Sequence, residues 1–252
     1  MNCKICNTES LFLFKREIDR PDFSSYEHEY YECQKCSFMF STGLDNLTKE
    51  QWDQFYKYPD YLQFDGPARD EFKAQNMEST RIKFLERLML KLPNVRSTPI
   101  KKVLIWGNGK SLLLKKLNLK YDTYATYSST NSSKELTEKD FPKFKNSFDL
   151  VTSIEVIEHF TDPLEEFKVM KSLLKPGGQI LASTGSKDSH IWSSSETCNI
   201  AESLNYLIPY RPRNGGHICF YAMKTVEKLA EILGMKNDST DQLKKICILL
   251  TK

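Results

Sequence analysis

Apolar residues in the second half of the chain come in short unbroken runs, separated by longer stretches where they return every third or fourth position. Short runs predict buried strands, and a period near 3.6 predicts helices. Val103, Leu104, Ile105 and Trp106 make one run, ended by Gly107, Asn108 and Gly109 and followed by helical spacing over 111–117. Residues 122–127, 148–153 and 179–183 supply further candidate strands. Leu164, Phe167, Met170 and Leu174 line one face of a helix behind Asp162, Pro163 and Glu165. Those three provide a side-chain cap, a first-turn proline and a carboxylate at the positive helix end. Lys175, Pro176, Gly177 and Gly178 stop it. A last helix over 224–233 carries Val226, Leu229, Ala230 and Leu233 as its core stripe, with Gly234 as its C-terminal cap. The alternation predicts the α/β class, with a doubly wound sheet that takes its ligand at the carboxyl ends of the strands.

The first hundred residues follow another pattern. A strand over 37–40 and a turn over 43–46 precede Thr48 and Gln51, whose spacing is that of a capping box opening a short helix with Trp52, Phe55 and Tyr56. Helical periodicity returns over 68–92 through Phe72, Ile82, Leu85, Met89 and Leu92, and Pro93 and Pro99 bracket a linker. Three segments are expected: a zinc ribbon over 1–46, a helical linker or cover over 47–98, and the α/β domain over 99–252.

The ribbon rests on two C-x-x-C pairs, Cys3/Cys6 and Cys33/Cys36, which together can complete a tetrahedral four-sulfur site for Zn²⁺. Metal binding would then supply folding free energy to a segment too small for its own core. Two disulfides, a redox pair and iron are the other readings. Met1 leads into Asn2 and Cys3 with no apolar signal segment, so a cytoplasmic, reduced chain is expected, which disfavours disulfides. A redox C-x-x-C usually stands singly beside a βαβ pattern. Four thiolates leave no open coordination position, so the metal is expected to be structural. Cys198, Cys219 and Cys247 are scattered and read as small buried apolar residues.

Charge narrows the partners. Lys and Arg number 36 against 33 Asp and Glu, a net +3 spread along the chain, and the ribbon carries Glu27, Glu29 and Glu32 beside its basic residues. That leaves little field for nucleic acid. No apolar run is long enough for a bilayer, so no membrane span is expected.

Residues 148–159, which include Asp149, Glu155, Glu158 and His159, are followed by Asp162-Pro163 and by Leu174 to Gly178. This stretch resembles the fourth strand, its helix and the fifth strand of class I S-adenosylmethionine-dependent methyltransferases. The resemblance runs from about residue 100 to the C-terminus and implies a Rossmann-like sheet that binds S-adenosyl-L-methionine. It implies cofactor contacts from Gly107, Asn108 and Gly109, from Tyr127 at the end of the second strand, and from Glu155, Asp140 and Phe141. It also suggests a general base for a hydroxyl or acidic carbon acceptor, with His159 and His217 as candidates. The ribbon and aromatic helix resemble the front end of a bacterial subgroup, which implies a small, sugar-containing acceptor. His190, Trp192, Arg211 and Arg213 suit a sugar or phosphate-bearing molecule, or a loop that only packs.

Three positions depart from the family. Ile105 and Ser111 replace an acidic residue and a glycine, and Tyr127 stands where a carboxylate normally accepts both ribose hydroxyls. A phenol cannot accept in that bidentate manner. The alternative reading is therefore a degenerate methyltransferase-like scaffold or binding module.

Overall fold

The computed structural model of the protein describes residues 1–20, 23–48, 50–51, 99–107, 117, 119–126, 134–187, 218–242 and 245–252. Residues 52–56 of the expected short helix, the expected helix over 68–92, residues 111–116 of the helix expected over 111–117, and the loop residues His190, Trp192, Arg211 and Arg213 lie outside the described residues. The capping box falls inside: Thr48 N–H donates to Gln51 Oε1 at 2.7 Å, and Gln51 N–H returns to Thr48 Oγ1 at 3.3 Å.

In chain order the described strands and α-helices are β1 (Ser10–Arg20), β2 (Phe23–Cys33), β3 (Met39–Ser41), β4 (Lys102–Ile105), β5 (Asp122–Ala125), β6 (Lys134–Glu135), β7 (Phe148–Ile154), α1 (Pro163–Leu173), β8 (Leu174–Gly185), β9 (Cys219–Phe220), α2 (Met223–Leu233), β10 (Lys236–Asn237), β11 (Thr240–Gln242) and β12 (Lys245–Thr251). Short 3₁₀ helices at Glu138–Phe144 and Ile157–His159 flank β7. No helix among the described residues is long and apolar enough to cross a membrane.

The larger sheet has the order β6-β5-β4-β7-β8-β12-β10, with β11 paired to β12. Strands β4 to β8 pair in parallel, while β12 runs antiparallel to β8. Counting from β4, the first five strands lie in the order 3-2-1-4-5, the doubly wound pattern, so the order reverses between β4 and β7. Alternate side chains of β4 enter different cores: Leu104 joins Val151, Ile180 and Phe167, whereas Val103 and Ile105 join Ala125, Leu150 and Leu181. Both faces are buried because parallel strands with crossover helices leave neither face to water.

Helix α1 begins as the sequence suggests, with Asp162 Oδ1 accepting Glu165 N–H at 3.1 Å and Pro163 in the first turn. The strand after it is longer than the expected 179–183, because Leu174 already pairs with Phe148. A register shift between Phe148 and Leu150 accommodates the Pro-Gly-Gly stretch, where Gly177 has φ 73°. Asp149 secures the start of β7: Oδ2 accepts N–H from Lys101 at 3.0 Å and Lys102 at 2.8 Å, and Oδ1 accepts from Lys175 Nζ at 2.9 Å. Helix α2 ends at Gly234 in the left-handed conformation, as expected.

The smaller sheet has the order β1-β2-β3-β9. Its first three strands come from the cysteine-bearing segment, and the fourth comes from the C-terminal half of the chain. Met39 pairs with Phe220 and Phe40 with Cys219. Cysteines 3, 33 and 36, Phe38 and Phe40 share one continuous core with Phe167, Ile218, Tyr221 and Leu229.

Candidate active site and metal centre

At the carboxyl ends of β4 and β7 two turns touch. Gly107 follows β4 with φ 78°, and a Cβ there would lie 2.7 Å from Val156 Cγ1. Its N–H donates to the buried Thr126 Oγ1 at 2.8 Å, so the end of β5 holds the turn that ends β4. Glu155, next to Val156, is half-buried with φ 55°. A non-glycine residue held there costs on the order of 1–3 kcal/mol and commonly marks a ligand site. Ser183 Oγ donates to Glu155 Oε1 at 3.1 Å, and Glu155 N–H donates to Ser183 O at 2.9 Å. Strand tips around an order reversal form the crevice where doubly wound sheets bind ligands.

Of the other expected site residues, Asp140, Phe141 and His159 are described, and they fall on the two short 3₁₀ helices that flank β7. Phe141 packs against Trp106 with ring centroids 5.4 Å apart. The Asp140 carboxylate caps its own 3₁₀ helix, accepting Thr137 N–H at 3.0 Å and Thr137 Oγ1–H at 2.7 Å. The bond from the Thr137 hydroxyl, more than any other influence, holds Asp140 below the usual carboxylate range. Trp106 Nε1 donates to Glu166 Oε2 at 2.8 Å, while burial pushes the Glu166 carboxyl up. His159 is half-buried at the end of the 157–159 helix, whereas Glu158 beside it is buried. Asn108, Gly109, Ser111, Tyr127 and His217 lie outside the described residues. The gap that Ile105 leaves in the family pattern is filled with packing: its side chain is buried in the second core.

The N-terminal cysteines converge. The four Sγ atoms lie within 4.8 Å of one another. Measured separations are 3.6 Å for Cys3 and Cys36, 3.5 Å for Cys6 and Cys33, and 3.7 Å for Cys6 and Cys36. A tetrahedron with bonds of about 2.3 Å to each sulfur has edges near 3.8 Å, so the donor set fits a zinc-sized ion. Two knuckles of matching geometry build it. Asn7 N–H donates to Cys3 O at 2.9 Å and Ser37 N–H to Cys33 O at 2.8 Å. Cys3 N–H donates to Thr8 O at 2.8 Å and Cys33 N–H to Phe38 O at 2.9 Å. Each knuckle ends on a left-handed residue, Asn7 at φ 55° and Ser37 at φ 57°. The bond with Cys36 brings the Cys3 thiol down to about 5, and the same bond with burial pushes Cys36 up. Cys219 and Cys247 are buried, as expected, and burial pushes the Cys219 thiol up. Cys198 lies outside the described residues.

Thr126, Val156 and strand β9 had no counterpart among the expected site residues. Thr126 precedes the singled-out Tyr127, but its bond to Gly107 depends on the pairing of β4 with β5, which no local pattern announces.

The fold and crevice define a methyltransferase-like α/β protein. The chain belongs to the class I S-adenosylmethionine-dependent methyltransferase domain family, whose model, described as a methyltransferase domain, matches residues 54–240. It is similar to a ubiquinone biosynthesis O-methyltransferase of Klebsiella pneumoniae, 30% identical over 106 residues, which are 42% of this chain and 40% of that protein. The Escherichia coli O127:H6 protein of the same name is 33% identical over 58 residues, 23% of this chain and 24% of that one. The matches thus span less than half the length of these curated relatives. Among solved structures, the plantazolicin methyltransferase BpumL, in complex with a monoazolic desmethylPZN analog and SAH, aligns with TM-score 0.53 at 13% identity, covering 81% of this chain and 96% of that chain. The Burkholderia thailandensis 1,6-didemethyltoxoflavin-N1-methyltransferase aligns with TM-score 0.51 at 10% identity, covering 94% of this chain and 98% of that chain. At such identities the likeness shows the fold.

Proposed function

We propose that the protein transfers a methyl group from S-adenosyl-L-methionine to a small molecule at the tips of β4 and β7, and that its four cysteines hold a structural Zn²⁺. The two left-handed turns at Gly107 and Glu155, set side by side where the strand order reverses, carry the first half of this reading. A backbone without a Cβ lets a ligand come against the chain itself. When bound, the cofactor supplies an electrophilic methyl on a sulfonium, which leaves as a thioether when a nucleophile attacks in line. The residues of this chain then have three tasks. The turns at Gly107 and Glu155 hold the nucleoside and amino-acid parts, with Asn108, Gly109, Tyr127, Asp140 and Phe141 as further contacts. His159 or His217 takes the proton of an attacking hydroxyl. Alignment of donor and acceptor supplies much of the rate.

Asp140 would have to turn from Thr137 to meet a ribose, since its carboxylate is committed to the helix cap. The two curated relatives matched by sequence are named O-methyltransferases, which favours an oxygen acceptor. A sugar-containing acceptor rests on the resemblance of the N-terminal segment alone. The division at residues 46 and 98 is retained as a proposal, with the ribbon as a cover on the acceptor side, in a cytoplasmic protein.

Isothermal titration with S-adenosylhomocysteine tests the cofactor half. Saturable heat at submillimolar ligand is the expected result, and its absence at millimolar ligand removes the enzyme reading. The alternative, a degenerate methyltransferase-like scaffold or binding module, draws on Tyr127, Ile105 and Ser111, and that second outcome favours it. Metal analysis of protein purified without added chelator tests the zinc half.

A further inference from the structure

The metal knuckle and the strand-tip crevice are joined by an unbroken series of contacts. On the knuckle side, Thr225 Oγ1 donates to Cys36 O at 2.8 Å, although the two residues are 189 positions apart. The same oxygen accepts Ala222 N–H at 3.2 Å, so this hydroxyl both holds the knuckle and caps α2. Phe38, two residues beyond Cys36, lies against Tyr221 with ring centroids 5.2 Å apart. Tyr221 Oη donates to Ile157 O at 3.0 Å. Strand β9 adds more stitches. Ser41 N–H donates to Ile218 O at 2.8 Å, Ile218 N–H to Glu158 O at 2.9 Å, and Cys219 Sγ to Phe160 O at 3.0 Å. The carbonyls of residues 157, 158 and 160 are thus held by residues 218, 219 and 221, in the segment that contains β9 of the cysteine-bearing sheet. Val156, the residue that begins this turn, is the one that leaves no room for a side chain on Gly107.

These groups are buried and satisfied through one another. Thr225, Tyr221, Ile218 and Phe38 are each 0% exposed. A knuckle that loses its geometry releases the Cys36 carbonyl and the pairing of β3 with β9, and it takes the 218–221 donors away from the carbonyls of Ile157, Glu158 and Phe160 in an apolar interior. Such orphaned groups are expensive, so the turn would rearrange instead.

We propose that the four-cysteine centre, acting through Thr225 and β9, is a positioning element for the crevice: metal in the knuckle fixes the 157–160 turn and, through Val156, the Gly107 turn. This rests on the reading that the cysteines hold zinc and the crevice holds S-adenosylmethionine. Coupling of this kind is reciprocal: what sharpens cofactor binding must also be sharpened by it.

The test uses the full chain loaded with zinc and reads metal release to a chromogenic chelator, with and without saturating S-adenosylhomocysteine. At equilibrium with the chelator, ligand tightens the protein's hold on zinc by about fivefold or more if the sites are coupled. Thr225→Val, which keeps all four thiolates and removes the hydroxyl, weakens S-adenosylhomocysteine binding by a similar factor while retaining its zinc. It also raises amide hydrogen exchange at 157–160 and 218–221, and Thr225→Ser restores both. Equal zinc affinity with and without ligand, together with unchanged ligand affinity in the valine variant, overturns the coupling and leaves the two binding readings standing. Absence of zinc or of ligand binding in the wild-type chain overturns those readings and the coupling with them.

Discussion

Gly107 and Val156 stand so close that a methyl group on the glycine would meet a valine methyl at 2.7 Å, a distance that real Cβ atoms do not reach. The glycine also has φ 78°, where an L side chain is strained whatever space surrounds it. Gly107→Ala is therefore expected to lower stability by more than about 1 kcal/mol and to push the two turns apart. Titration calorimetry on the variant should show S-adenosylhomocysteine affinity at least about tenfold weaker, the equivalent of 1.4 kcal/mol. Wild-type affinity in an intact Gly107→Ala protein would show that the ligand does not depend on this turn.

Thr126 sets the same turn from the other side. Its hydroxyl oxygen accepts the Gly107 N–H in a buried position, and no water can replace it there without a rearrangement. Thr126→Val keeps the shape and orphans the N–H, at a cost of about 1–3 kcal/mol. Thr126→Ser keeps the acceptor. Faster amide exchange at Gly107 and weaker ligand binding in the valine variant, with both near wild type in the serine variant, would mark Thr126 as a positioning residue. A lower melting temperature with unchanged affinity would assign it to the fold alone.

Asp149 should make the fold sensitive to acid. Burial opposes its charge, but the N–H of Lys102, the Lys175 ammonium and the N–H of Lys101 outweigh burial and hold the carboxyl below its usual range. Its folded value thus lies below the unfolded value of about 3.9, so its contribution is complete above that pH and disappears as pH falls through the folded value. Asp149→Asn should lose about 2 kcal/mol at neutral pH by urea unfolding. The gap to wild type should close in strong acid. A constant gap across pH would mean that packing, not charge, is what the asparagine disturbs.

Glu166 carries the opposite sign. Burial raises its carboxyl, the Trp106 N–H partly counteracts that, and the neighbouring Glu138, Asp162 and Glu165 add to the rise. Stability from this group is complete below the unfolded value of about 4.3 and is lost as pH rises through the higher folded value. Glu166→Gln keeps an acceptor for Trp106 Nε1 and removes the buried charge. The variant should be more stable than wild type at pH 7, with the advantage shrinking in mild acid. A destabilised Glu166→Gln at pH 7 would reverse this assignment.

What the sequence made legible follows the range of the interactions. The Asp162 cap, the Pro163 start and the Gly234 stop concern neighbours along the chain, and each is found where the pattern puts it. The doubly wound order follows from alternation, because few topologies satisfy a run of parallel strands with helices between them. Strand β9 is different. Its two residues, Cys219 and Phe220, are too few to carry a period, and its partner Met39 belongs to a segment about 180 residues earlier, a separation that no local pattern encodes. The cysteine spacing announced the knuckles, while the hydroxyl that holds one of them, Thr225, looked like an ordinary helix residue. The sequence singled out Gly107 and Glu155, whereas the tightness of their setting, through Val156, Thr126 and Ser183, needed the fold.

The two knuckles contain a last prediction. Asn7 and Ser37 occupy the same place after the second cysteine of each pair, with φ 55° and φ 57°. An L residue in this region costs roughly 1–2 kcal/mol, less for asparagine, whose short amide tolerates it. Glycine has no such penalty. Ser37→Gly should therefore stabilise the metal-loaded protein by about 1 kcal/mol, reduced somewhat by the added freedom of glycine in the unfolded chain. Asn7→Gly should gain less. Ser37→Val, with a branched Cβ, should lose stability and release zinc faster than wild type. The order Gly, Ser, Val at position 37, measured both as urea midpoint and as metal retention, tests whether the left-handed turn holds the knuckle. Wild-type protein more stable than Ser37→Gly would place the Ser37 hydroxyl, not the backbone, in that role.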